Sequence, residues 1–90
     1  MGFMVEFAVY GALAGGNEND CQAIDVTERL QDLLDNGDGI VKIDNNSMGM
    51  DPSPGNTKHF GARVVGGGEG HFFACQEWQT IDFYHTKTPG

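Results

Sequence analysis

Positive charge is scarce in this sequence: five Lys and Arg stand against thirteen Asp and Glu, for a net charge of -8. A surface of that sign repels phosphate backbones and anionic headgroups, so nucleic acid and membrane surfaces are excluded as expected partners. No apolar run approaches the ~20 residues that a membrane-spanning helix needs. The opening MGFMVEFAVYGAL carries Glu6 and no basic stretch ahead of its apolar residues, so no signal peptide is read in it. That fits either a cytoplasmic protein or a mature secreted form. Cysteine is scarce as well, with Cys21 in a polar stretch and Cys75 in an apolar one. A disulfide between them would close a long loop and contribute about 4 kcal/mol through chain entropy. One packed thiol and one free thiol is the equal alternative.

Apolar residues make up 39% of the chain, and six Phe, two Tyr and one Trp are far more than a disordered segment carries. A chain of 90 residues has room for one core. Residues 1–84 are therefore read as a single β-rich domain and 85–90, HTKTPG, as a flexible tail.

Alternation over residues 3–10 predicts a strand with Phe3, Val5, Phe7 and Val9 on its buried face. Residues 11–24 lose periodicity and read as a loop. DVTERLQDLLDNG then places Val26, Leu30, Leu33 and Leu34 on one helical stripe. Asp25 and Glu28 stand at capping-box spacing, and Gly37 is expected to end the helix in the left-handed conformation. Ile40, Val41 and Ile43 form a short strand, and residues 45–57, with two prolines, form a long loop. KHFGARVV and HFFACQ flank GGGEG as a hairpin, with Phe60, Ala62 and Val64 inward, and QTIDFY closes the chain with Ile81 and Phe83 inward. The expected fold is α+β and mostly β: an antiparallel sheet or small sandwich of about five strands, with one amphipathic helix packed on it.

The acidic stretch from Asp35 to Ile40 fails the spacing of a calcium-binding helix-loop-helix. With Gly39 at the sixth position, Leu34 would be the first ligand and Asn45 the twelfth. A looser calcium site on Asp38, Asp44 or Asp51 is kept as an alternative, and otherwise no cofactor or metal is expected. His59, His71 and His85 show no ligand spacing. The glycines of GGGEG precede a strand rather than a helix, so they are a turn and not a phosphate cradle.

Ala8-Val9-Tyr10-Gly11, then Asp25-Val26-Thr27 with Leu30-Gln31 and Leu33, then Gly49 with Asp51-Pro52-Ser53-Pro54-Gly55 and Lys58, form an ordered set of motifs. The set resembles the domain of unknown function at the C-terminus of certain mitochondrial J-domain proteins, also found in small stand-alone fungal and bacterial proteins. It spans residues 8 to about 83. The resemblance implies a shared fold and a role in binding or assembly, with no catalytic residues to carry over. The His-Pro-Asp signature of the J domain does not occur in these residues, so co-chaperone activity is not implied. The stretch GGNENDCQ and the cysteines depart from the pattern, so no ligand is carried over.

The function expected from the residues is a small non-enzymatic binding module for carbohydrate or protein. Its expected contacts are Asn45, Asn46, Ser47 and Asp51 in the proline-containing loop, with Trp78 as the exposed aromatic, since Asn, Asp and Ser suit sugar hydroxyls and a stiff loop reduces ordering cost. Tyr10 and Tyr84 are the other candidate stacking surfaces. The alternatives are a structural domain forming a homo-oligomer through strand edges and, with least support, a small hydrolase.

Overall fold

In the computed structural model, which describes residues 2–85, the order is β1 (Phe3–Leu13), a single 3-10 turn (Ala14–Gly16), β2 (Cys21–Asp25), α1 (Thr27–Asp35), β3 (Ile40–Lys42), α2 (Asn45–Met48), β4 (His59–Gly66), β5 (Glu69–Gln76) and β6 (Thr80–Asp82). Four strands form an antiparallel sheet in the order β2-β1-β4-β5, and β3 and β6 form a separate two-stranded ribbon. The chain is mostly β, with α1 on one face of the larger sheet, as the residue patterns predict. Of the tail read over 85–90, His85 belongs to the described residues and 86–90 lie outside them.

Two expectations about the first quarter of the chain are corrected. The stretch 11–24 is not all loop: β1 runs on to Leu13, and β2 pairs with it from Leu13↔Cys21 to Val9↔Asp25. Main-chain pairing holds this hairpin, and its small and polar side chains leave little periodicity to read. Gly11 is required there, because a Cβ would collide with the main-chain oxygen of Gln22 and with Ala23. The buried face of β1 also switches. Val5 is buried, as alternation predicts, but Phe7 and Val9 are 44% and 47% exposed while Ala8 and Tyr10 are buried. The ladder with β4 slips between Val5↔Val64 and Phe7↔Arg63, so Glu6 is one extra residue. One extra residue sends every later side chain to the opposite face.

Because β2 covers only the second half of β1, the edge at Phe3–Ala8 needs other partners, and α1 supplies them. Gln31 accepts from the N–H of Val5 at 2.8 Å and donates to the carbonyl of Phe3 at 2.8 Å. The Thr27 hydroxyl accepts from the N–H of Ala8 at 2.9 Å, and the N–H of Val26 donates to the carbonyl of Ala8. The expected capping box does not form: Asp25 accepts instead from the N–H and hydroxyl of Thr27. Asp25 is still strand, paired with Val9, so α1 starts too late for Glu28 to reach back. At the other end Asn36 closes α1 on the carbonyl of Asp32, and the left-handed residue is Gly39 rather than Gly37.

Val26, Leu30 and Leu34 pack against Val5, Ala8, Tyr10, Phe60, Ala62 and Val64, with Leu33 only partly buried at the margin. Phe83 is inward as expected and contacts Phe73 and Phe60 at ring-centroid distances of 4.7 and 6.1 Å. It arrives from the β3–β6 ribbon rather than from the main sheet. The β4–β5 hairpin turns on Gly67 and Gly68, both at positive φ, which is the requirement of a two-residue turn between twisted strands.

Candidate functional site

The stretch 45–57 is not one open loop. Asp44 and Ser47 form a reciprocal capping box that opens α2, and the Ser47 hydroxyl also donates to the carbonyl of Lys42 at 2.5 Å. Two of the expected ligand contacts turn inward. Asn45 accepts a 2.7 Å hydrogen bond from the hydroxyl of Tyr10, which is buried. Asp51 pairs at 2.9 Å with the ammonium of Lys58.

Lys58 is the centre of a polar network inside the domain. It is 3% exposed and lies 3.5 Å from Glu77, also 3% exposed, while its N–H donates to the same carboxylate at 2.8 Å. Its ammonium also donates to the carbonyl of buried Ser53. The Ser53 hydroxyl bonds Gln22 on β2 and accepts from Asn56, whose own oxygen accepts from the N–H of Gly15. The proline-containing segment is thereby tied to β2 and the 3-10 turn. The Lys58 hydrogen bond holds the Asp51 carboxyl below its ordinary range. Burial pulls the Lys58 ammonium down, but Asp51 and Glu77 outweigh it and the net shift is upward. The Tyr10 hydroxyl is pushed well above its ordinary value, first by burial and then by the charge of Glu77.

Asn46 and Ser47 do line a cleft, on the other side of this segment. It has a volume of about 550 Å³ and lies between α1, β3 and α2. Leu33, Ile40 and Val41 supply apolar wall, and Arg29, Asp32, Lys42 and Asp44 supply charge of both signs. Arg29 is braced from below, its Nε donating to the carbonyl of Ser47 at 2.7 Å. The side chains of Asp32, Lys42 and Asn46 make no hydrogen bond or ion pair among the described residues, so their bonding capacity faces solvent. The α1 side of the cleft lies outside the expected contacts, although Arg29, Asp32 and Asn36 recur at helical spacing on one face.

Trp78 does not line this cleft. It is 59% exposed, as expected of an aromatic between Glu77 and Gln79, but Phe72 on β5 is more exposed, at 75%. Tyr84 is packed, its ring stacked on Phe3 at 4.4 Å and its hydroxyl donating to the carbonyl of Leu34. The Trp78 N–H donates to the carbonyl of Ile43, and the Ile43 N–H to the carbonyl of Gln79, which places the turn beside the start of α2. Trp78 is the one non-glycine among the described residues at positive φ, 77°. A bulky residue there costs about 1–2 kcal/mol, against about 0.5–1 kcal/mol of unfolded-chain entropy that glycine would add. Trp78→Gly is therefore expected to leave the melting temperature unchanged or slightly higher in a thermal scan; a marked fall would make Trp78 a packing residue.

Of the two cysteine alternatives, the unbridged one fits the structure. Both thiols are free, Cys21 on edge strand β2 and Cys75 on the opposite edge strand β5. Three strand spacings, about 14 Å, separate the edges, and a disulfide needs Cα atoms within about 7 Å. The looser calcium site does not assemble either. Asp38 accepts from the N–H of Ile40, Asp44 caps α2 and Asp51 holds Lys58, and no group of three potential ligands occurs among the described residues. His71 lies 4.0 Å from Glu69, and His85 bonds Asp82 at 2.8 Å in an exposed position. Comparison with models of protein families, with curated proteins and with solved structures finds no match.

Proposed function

We propose that this chain is a small non-enzymatic binding module whose ligand is an uncharged carbohydrate held in the cleft between α1, β3 and α2. The observation that carries the reading is the pairing, in one cleft, of Asp32, Lys42 and Asn46 side chains without protein partners and an apolar wall of Leu33, Ile40 and Val41. A sugar presents hydroxyls that both donate and accept, together with C–H faces. A mixed set of acceptors, donors and apolar surface matches it, and the volume lies within the usual range of ligand pockets. The net charge of -8 disfavours acidic polysaccharides. The resemblance of the motifs to the J-domain-associated domain implies a role in binding or assembly. The Cys75 thiol, raised by burial, has the opposite of a nucleophile's tuning.

An immobilised array of neutral glycans is expected to retain the protein, and Asp32→Ala and Asn46→Ala are each expected to weaken retention about tenfold, the effect of losing one to two hydrogen bonds. Silence across the array removes the reading.

A second reading rests on Trp78: a left-handed, solvent-facing Trp is strain retained at an exposed site, and such aromatics anchor protein partners. A pull-down that loses its captured partner with Trp78→Gly, while Asp32→Ala keeps it, would favour protein over carbohydrate.

A further inference from the structure

The larger sheet has two edges, and they are treated differently. β2 is five residues long, and the segment holding Ser53 and Asn56 packs beside it through Gln22 and Gly15. β5 is eight residues long, without lysine, proline or bulge, and among the described residues it pairs only with β4 along its length, its last residue Gln76 alone being closed off on the outer side. Natural sheets guard such edges, because a row of open main-chain groups is a template for another strand.

The open groups can be named. A two-residue turn makes Gly66 and Glu69 a hydrogen-bonded pair, so Glu69, His71, Phe73 and Cys75 direct their main-chain groups to β4. Gly70, Phe72, Ala74 and Gln76 direct theirs outward. Gln76 is closed off, its N–H donating to the Gln79 side chain and its carbonyl accepting from the Gln79 N–H. The remaining row, Gly70, Phe72 and Ala74, is centred on Phe72, which is 75% exposed and carries Arg63 over its ring at 5.4 Å.

We infer that β5 pairs antiparallel with β5 of a second copy of this chain, on a two-fold axis through Phe72. An incoming strand must be uncharged opposite this row, offer three matching outward residues and bring an apolar side chain against Phe72. β5 meets all three conditions itself. In this register Gly70 faces the partner's Ala74, Phe72 faces the partner's Phe72, and Glu69 faces the partner's Cys75, so no two like charges oppose each other in a molecule of net charge -8. The two Phe72 rings form an aromatic cross-strand pair, and six main-chain hydrogen bonds close the edge. The result is a continuous eight-stranded sheet with α1 and the cleft of each copy left free, so the pairing stands independently of the carbohydrate reading.

Sedimentation equilibrium tests it. The wild-type chain, 9.7 kDa, is expected to show twice that mass reversibly as concentration rises to about 1 mM. Phe72→Lys places two like charges on the axis. Ala74→Pro removes an outward N–H that a single edge strand does not use, so the isolated chain tolerates it. Both variants are expected to sediment as single chains at every concentration, with unchanged far-UV circular dichroism. Val9→Lys, on β1 away from the edge, is expected to keep the doubled mass. A wild-type chain that stays single at about 1 mM overturns the inference, and so does a doubled mass that survives Phe72→Lys and Ala74→Pro.

Discussion

Replacing Lys58 by Met is expected to lower the unfolding free energy by about 3–5 kcal/mol, the cost of leaving one partner of a buried ion pair uncompensated. For a domain of this size that corresponds to a fall in melting temperature of well over 10 °C. The penalty falls on Glu77 rather than on Asp51. The Asp51 side chain is 33% exposed and can be hydrated when the ammonium is gone, whereas Glu77, at 3%, cannot. The double variant Lys58→Met, Glu77→Gln is therefore expected to recover much of the loss, since a neutral amide can still accept from the N–H of residue 58. Urea titration of the three proteins reads this directly; a single variant within 1 kcal/mol of wild type would mean the network is a surface pair in solution.

The same network sets the pH limits of the fold. Asp51 is held below its unfolded value, so its contribution is complete above about pH 4 and is lost as pH falls through the lowered value. Lys58 and Tyr10 are both raised, so their contributions are complete below about pH 10 and are lost as pH rises further. A stability plateau between roughly pH 5 and 9 is expected, with a decline on each side. The urea midpoint measured from about pH 3 to pH 11 checks it.

Leu30→Ala carries the second large effect, a loss of about 2–5 kcal/mol. Leu30 is fully buried beneath α1, a nine-residue helix too short to persist without its packing. Leu33, one turn along but at the margin of the core and in the cleft wall, is expected to cost much less when truncated. Equal losses at the two positions in chemical denaturation would mean that α1 sits on the sheet by a different face.

The leucine stripe of α1 and the Gly67-Gly68 hairpin depend on side chains and turns within a few positions of one another, and they read correctly, whereas the equally local Asp25–Glu28 capping box and Gly37 stop did not form. The other misreadings arise where a distant partner decides. Nothing around Glu6 announces an extra residue, because the slip exists only against β4, and it reverses the faces of Phe7, Ala8, Val9 and Tyr10. β2 is legible only through its pairing with β1. The candidate site divides the same way. Asn46 and Ser47 were readable as polar residues after a strand, and they do line a cleft. Asn45 and Asp51 look identical in sequence, yet Tyr10 and Lys58 draw them into the interior. The Lys58–Glu77 pair joins residues 19 positions apart and leaves no local mark.

The division between a structural proline segment and a binding cleft is the claim most open to direct test. Amide correlation spectra recorded while the protein is titrated with a neutral glycan retained on the array are expected to shift at Asp32, Asn36, Lys42 and Asn46. The amides of Asp51, Ser53, Asn56 and Lys58 should stay in place. Shifts concentrated on residues 51–58 with the cleft unmoved, or a spectrum unchanged by every glycan in the array, would contradict it.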